Sequence, residues 1–160
     1  MAKEQVNQLL YLLDDAFCGP DFHSLLTNLS SVKPDDWDWV PPNGERPIRQ
    51  LVAHVSACKL LYHDQSFCGA KMPWSEIVAA QRDAMTALPT AIEYLRKMHD
   101  LLHQDLAALN DDDLLQLRPN HMGPMRETRW IMMITMQHDL YHAGEINHIR
   151  ALHQGNDAWD

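Results

Sequence analysis

The sequence is short of cysteine. Cys18, Cys58 and Cys68 are its only three, an odd count with no CxxC spacing, which excludes a disulfide framework and a zinc-finger pattern. Reduced thiols in a cytoplasmic protein are the expectation that follows. Basic residues are also scarce: 13 Lys and Arg face 22 Asp and Glu, leaving a net charge of −9. That balance argues against a nucleic-acid surface, which needs a basic stripe, and against docking on anionic lipid. No apolar run is long enough to span a membrane. The opening MAKEQVNQLLYLLDDAF has amphipathic spacing interrupted by Asp14 and Asp15, so it does not read as a signal peptide. Repeats, low-complexity tracts and Ser/Gly linkers are missing too. Residues 1–160 are therefore expected to form one domain, long enough to bury a core without covalent staples.

Strand alternation is the last absence, and helical periodicity fills its place. A first helix is expected over residues 3–18, with Val6, Leu9, Leu10, Leu13 and Phe17 on one face. Gly19-Pro20 breaks it, and Asp21 is placed to cap a continuation carrying Phe22, Leu25, Leu26, Leu29 and Val32. Residues 34–46 form a loop rich in Pro, in which Trp37 and Trp39 are expected to cover the bundle. A second helix starts near Pro47 and runs to Phe67–Gly69, with Ile48, Leu51, Val55, Cys58, Leu61 and Tyr62 at three and four spacing. Trp74–Ala87 reads as a short helix with its connection, capped by Ser75. A third long helix covers Pro89–Leu109, and the Asp111-Asp112-Asp113 run ends it or caps a turn on a solvated face. Leu117–Pro124 is a loop, and a fourth helix spans Met125–Gln154 until Gly155 and Asn156 stop it. Four long helices imply an all-α fold, a four-helix bundle.

Histidine is abundant, with ten in 160 residues, and the fourth helix concentrates it. One seam of that helix reads Ile131, Thr135, His138, His142, Glu145, Ile149, Leu152. Apolar residues at both ends place the seam toward the core, where polar groups need partners. Two imidazoles one turn apart project side by side, and a metal ion satisfies both at once. The competing explanation is two hydrogen-bonded core histidines, and an HxxxH pair alone does not decide between them. His54, within the apolar stripe of the second helix, supplies a third imidazole from a facing helix. Three neutral nitrogen ligands leave coordination positions open, as in a catalytic centre.

The stretch Ile48-x-x-Leu51-Val52-x-His54-Val55, followed by Tyr62, resembles the second helix of the DinB-like superfamily. His138–Arg150, HDLYHAGEINHIR, is similar to the signature of its fourth helix, and GPDFHSLL and PPNGERPI resemble pieces of one subgroup. The resemblance implies an up-down-down-up bundle, often a homodimer. It implies one divalent metal, nickel, zinc or iron, on His54, His138 and His142. It also implies a small-molecule substrate. Some relatives use the metal to activate a low-molecular-weight thiol and transfer it to electrophiles, and many have no known activity. Transfer of a thiol is the first expectation and hydrolysis by metal-activated water the second. The alternative from another class is a metal-binding stress or structural protein without turnover.

Other residues carry a role beside a plainer reading. Glu145 is placed to hold an imidazole N–H or touch the metal, or else to sit in a salt bridge. His23 is a candidate acid/base at a pocket mouth or a surface residue, and Arg129 an anchor for an anionic substrate or a solvated side chain; Arg150 lies beyond the pair and reads as solvated. Cys58 is a reactive thiol or a small core residue. Glu145 with His148 forms a Glu-x-x-His element of the di-iron kind, but the second such element is missing. Met132, Met133 and Met136 read as packing, and Gly144 as a close helix approach. His63 and His121 have no spacing that points to a role.

Overall fold

Apolar spacing of three and four residues becomes helix along most of the chain. The computed structural model describes residues 2–20, 22–44 and 46–158. Its helices are α1 (Glu4–Cys18), α2 (Leu25–Ser30), α3 (Ile48–Phe67), α4 (Trp74–Ala80), α5 (Leu88–Ala107) and α6 (Thr128–Gln154). Two-residue strands β1 (Leu117–Arg118) and β2 (Arg126–Glu127) pair antiparallel, Leu117 opposite Glu127 and Arg118 opposite Arg126. The fold is all-α, and the four long helices form the bundle. Among the described residues no helix is long and apolar enough to cross a membrane.

Side-chain pairs fix the helix directions. Lys3 reaches the carbonyl of Ala107 and Asp14 meets His99, so α1 and α5 run antiparallel. His63 pairs with Asp105 while Ala57 packs with Met98, so α3 and α5 run parallel. Leu51 and Ile146 share one apolar cluster and Tyr62 and Met132 another, so α3 and α6 are antiparallel. The four directions in chain order are up, down, down, up. Parallel neighbours cannot be joined by a tight turn, and residues 68–87, with α4, make the crossover between α3 and α5.

Two large apolar clusters fill the bundle, beside a smaller one of Ala57, Leu60, Leu61, Ile77 and Met98. One gathers Phe17, Leu25, Leu51, Val55, Leu95 and Ile146, and the other Val6, Leu13, Tyr62, Leu102, Ile131 and Met132. His54 and His138 lie near the boundary of the two, since α3 passes from the first cluster at Val55 to the second at Cys58, and α6 from the second at Met132 to the first at Ala143. Along α5, Ala91, Leu95, Met98, Leu102 and Leu106 are all buried at three and four spacing. At the α1 break, a Cβ on Gly19 would stand 2.5 Å from the Asp15 carbonyl oxygen, so the close turn requires glycine. Gly155, with φ of +71°, ends α6 in the left-handed conformation expected of a helix stop.

Several expectations need correction. The fourth helix begins at Thr128 rather than Met125, because Arg126 and Glu127 pair with β1 instead. Trp74–Ala87 splits into α4 and a 3-10 turn at Ala84–Thr86, and Ser75 lies inside the first turn of α4 rather than capping it. Phe22 is 66% exposed, so the second stripe starts at Leu25. The cap assigned to Asp21 falls outside the described residues. Asp111 accepts the backbone N–H of Val6 and Asp113 that of Asn110, so the acidic run caps backbone more than it solvates a face. Trp37 is buried in the core as expected of a cover, whereas a Cβ on Gly144 would meet nothing within 4 Å, which removes the close helix approach there.

Candidate metal centre

His54 projects from the middle of α3, and His138 and His142 project from successive turns of α6. His138 Nε2 lies 3.1 Å from His54 Nε2 and 3.1 Å from His142 Nε2. One ligand atom from each residue falls within 4.8 Å of the other two, the single such group of His, Cys, Asp and Glu among the described residues. The three rings are tilted 59° to 78° to one another, so they present edges rather than stacking faces.

Hydrogen bonding alone does not account for this convergence. A ring nitrogen carries one in-plane position, either a proton or a lone pair, and so makes one good hydrogen bond. His138 Nε2 has two imidazole nitrogens at the same short distance. A cation accepting a lone pair from each ring satisfies all three together. At metal–nitrogen lengths of about 2.0–2.1 Å, two ligands stand about 2.9 Å apart at a right angle and about 3.4 Å at the tetrahedral angle. The observed 3.1 Å separations fall between these limits.

Protonation favours the same arrangement. Burial, reinforced by His142 and His54, holds the His138 pKa down at about 3. Burial also lowers His54, with His142 the next cause. Burial lowers His142 as well, against the pull of Glu145. The three rings are neutral near pH 7, with lone pairs available. Glu145 Oε2 accepts the Nδ1–H of His142 at 2.5 Å, which fixes the tautomer and leaves Nε2 with its lone pair toward the cluster. Arg46 approaches the other oxygen of Glu145 at 3.8 Å. Glu145 therefore meets the ring nitrogen of His142 that faces away from the other two imidazoles.

The centre opens on one side. A cavity of about 510 Å³ is lined by His54, Cys58, Leu61 and Gln65 along one face of α3, and by Met72, Pro73, Trp74 and His121 opposite. Gln65 Oε1 is buried without a partner among the described residues. Asp64 fixes the opposite wall, because its carboxylate accepts the backbone N–H groups of Lys71 and Met72. Cys58 is buried, its thiol pushed up to about 11 by burial, and its sulfur lies 3.8 Å from both ring nitrogens of His54. Equal distances place the sulfur off the lone-pair axis of either nitrogen.

His23 and Arg129 are not brought to this cavity. Both line a separate groove of about 640 Å³ between α1 and α6, with Leu9, Trp130 and Met133. Arg129 is bonded there to Glu127 at 2.6 Å, and His23 lies 3.7 Å from Asp15. Arg129 also precedes His138 by nine residues, about 13 Å along a helix. His148 is exposed and Arg150, expected in solvent, is fully buried, where it bonds Asn147 and the Ala158 carbonyl. Met132 is buried as expected of packing, but Met133 faces the groove and is 40% exposed.

Sequence reasoning missed a buried pair beside the triad. Lys59 Nζ donates to Asp139 Oδ2 at 2.6 Å, with the two side chains 1% and 0% exposed. Burial pushes the Asp139 carboxyl up, while the Lys59 ammonium opposes that shift. The buried seam of α6 reads Thr128, Met132, Thr135, Asp139, His142, Ile146, Arg150, and that of α3 reads Val52, Val55, Lys59, Tyr62, Ser66. Both keep steps of three and four through the charged residue. That register is the signal that could have found the pair. It could also have shown that the seam through Glu145 and Leu152 lies one position off the core.

A sequence model of the DinB superfamily matches residues 20–146, a stretch that contains His54, His138, His142 and Glu145. No curated protein matches the chain at a significant level.

Proposed function

The chain belongs to the DinB superfamily, and from that premise we propose a metal-dependent enzyme in which His54, His138 and His142 hold one divalent ion: nickel, zinc or iron. The observation that carries this reading is the double 3.1 Å approach to His138 Nε2, which imidazole hydrogen bonding leaves half unsatisfied. An ion held there would lower the pKa of a coordinated water or thiol.

The chain's own residues supply the rest. Glu145 orients His142 and keeps its Nδ1 protonated. Lys59 and Asp139 lock the register of α3 against α6 that aligns the three rings. The cavity over His54 has the size of a small-molecule site. Leu61, Met72 and Trp74 offer it apolar contact, and Gln65 and His121 offer polar contact at its walls. An open cavity beside the ligands favours a working centre over a closed structural site. Transfer of a low-molecular-weight thiol to an electrophile is the first reaction in this reading, and hydrolysis the second. The proposal extends to a cytoplasmic homodimer, for which exposed Leu12, Met133 and Leu140 around the α1–α6 groove are available apolar surface.

Elemental analysis of untagged protein beside His54→Ala, His138→Ala and His142→Ala tests the centre. One ion per chain, lost in each variant, is expected. No metal after incubation with zinc, nickel and iron would overturn it. Loaded protein that accelerates neither thiol transfer nor hydrolysis would leave a metal-binding protein without turnover.

A further inference from the structure

A second cluster of reactive groups lies on the α5 side of α3. Cys68 Sγ is 3.2 Å from His63 Nε2, and His63 Nδ1 is 2.6 Å from Asp105 Oδ2. Both ring nitrogens of one imidazole are used, so the three groups form a line. They do not converge on a point as the metal centre does. Nucleophile, base and orienting carboxylate in that order are the arrangement by which a side chain is activated for attack. Asp105 accepts Nδ1–H, which leaves the His63 Nε2 lone pair for the S–H of Cys68.

The backbone holds the sulfur in place. Cys68 caps α3 with its N–H on the Asp64 carbonyl, and Ala70 N–H returns to the same oxygen through Gly69 and Ala70, both at positive φ. His63 and Asp105 are 19% and 17% exposed, and Cys68 is half-buried, so the line is sheltered yet reachable. Burial, then Asp105 and Asp64, pushes the Cys68 thiol up against the pull of Lys71, so the sulfur rests protonated and its attack needs a base. Burial likewise raises Asp105, opposed by His63 and Arg118.

We propose that Cys68, His63 and Asp105 form a nucleophilic thiol site, separate from the metal centre, whose substrates are small disulfides. His63 Nε2 takes the S–H proton as Sγ attacks one sulfur of the disulfide. The disulfide S–S bond breaks, a Cys68–sulfur bond forms, and the departing sulfur leaves with the electron pair and receives the proton from His63. One thiol and one disulfide enter, and one thiol and one mixed disulfide leave, with no net oxidation. An aliphatic disulfide is the informative probe, because its leaving thiolate is basic and gains most from the proton.

The test is the rate of mixed-disulfide formation with hydroxyethyl disulfide, resolved by site with mass spectrometry at neutral pH. Cys18, the exposed thiol, serves as reference inside the same molecule. Cys68 is expected to react about tenfold faster than Cys18, although it is less exposed. In His63→Gln and Asp105→Asn the Cys68 rate should fall about tenfold while the Cys18 rate holds. Cys68 reacting no faster than Cys18 in wild-type protein would overturn the proposal, and this comparison stands even if a variant fails to fold. An undiminished Cys68 rate in folded His63→Gln would overturn it as well.

Discussion

Glu145 determines which nitrogen of His142 faces the other imidazoles. Its carboxylate accepts a hydrogen bond from Nδ1–H at 2.5 Å, so the ring has one orientation and one tautomer. Replacing it by Ala frees the ring to rotate, and metal affinity should fall about 10–100-fold while the chain stays folded. Competition with a chromophoric chelator measures this, and unchanged affinity would reduce Glu145 to a surface partner of Arg46. At this scale the sequence was legible where spacing carries chemistry: HxxxH, a Glu three residues later, and a His in an apolar stripe. It was not legible for His63 and His121, whose partners are far off in the chain. His63 meets Asp105 across 42 positions and the His121 ring lies tilted against Tyr62, and neither pairing leaves a local pattern.

The two helices that carry the three histidines are held in register by Lys59 and Asp139. Truncating one partner leaves the other charge buried alone, so Lys59→Met should destabilise the protein by about 3–5 kcal/mol. The double variant Lys59→Met with Asp139→Leu should recover most of that loss. Urea unfolding of the single and double variants reads the coupling. If the losses simply add, the pair is not the lock between α3 and α6. Helix existence was readable from the sequence because the apolar repeats are long. The buried seam of α6 was displaced by one position because Asp139 and Arg150 occupy core positions that an apolar template rejects. The start of α6 was missed for a different reason: a two-residue ladder with Leu117 and Arg118 is a tertiary pairing that no periodicity announces.

Across the whole molecule, acid should loosen the bundle where α1 meets α5. His99 is buried, stacks on Phe17 at 3.8 Å and has its pKa held down to about 3, chiefly by burial and then by Lys59. Between pH 6.5 and about 3 the unfolded chain binds a proton there that the folded chain refuses. Stability from this group is therefore complete above pH 6.5 and is lost as the pH falls. From pH 7 to 5, wild-type protein should lose about 2 kcal/mol more than His99→Gln in urea unfolding. Equal losses would refute the assignment. The up-down-down-up order was implied by resemblance and is confirmed by which side chains meet. That order has a consequence for how the protein can diversify. Because α3 and α5 run parallel, a long connection must cross between them, and its Met72-Pro73-Trp74 segment forms one wall of the cavity over His54. The three imidazoles belong to α3 and α6, which Lys59 and Asp139 tie together, while the facing wall belongs to a strap anchored through Asp64. Substitutions in the strap can reshape the cavity without disturbing the imidazoles, so the form of the cavity and the placing of the histidines are inherited on separate pieces of chain.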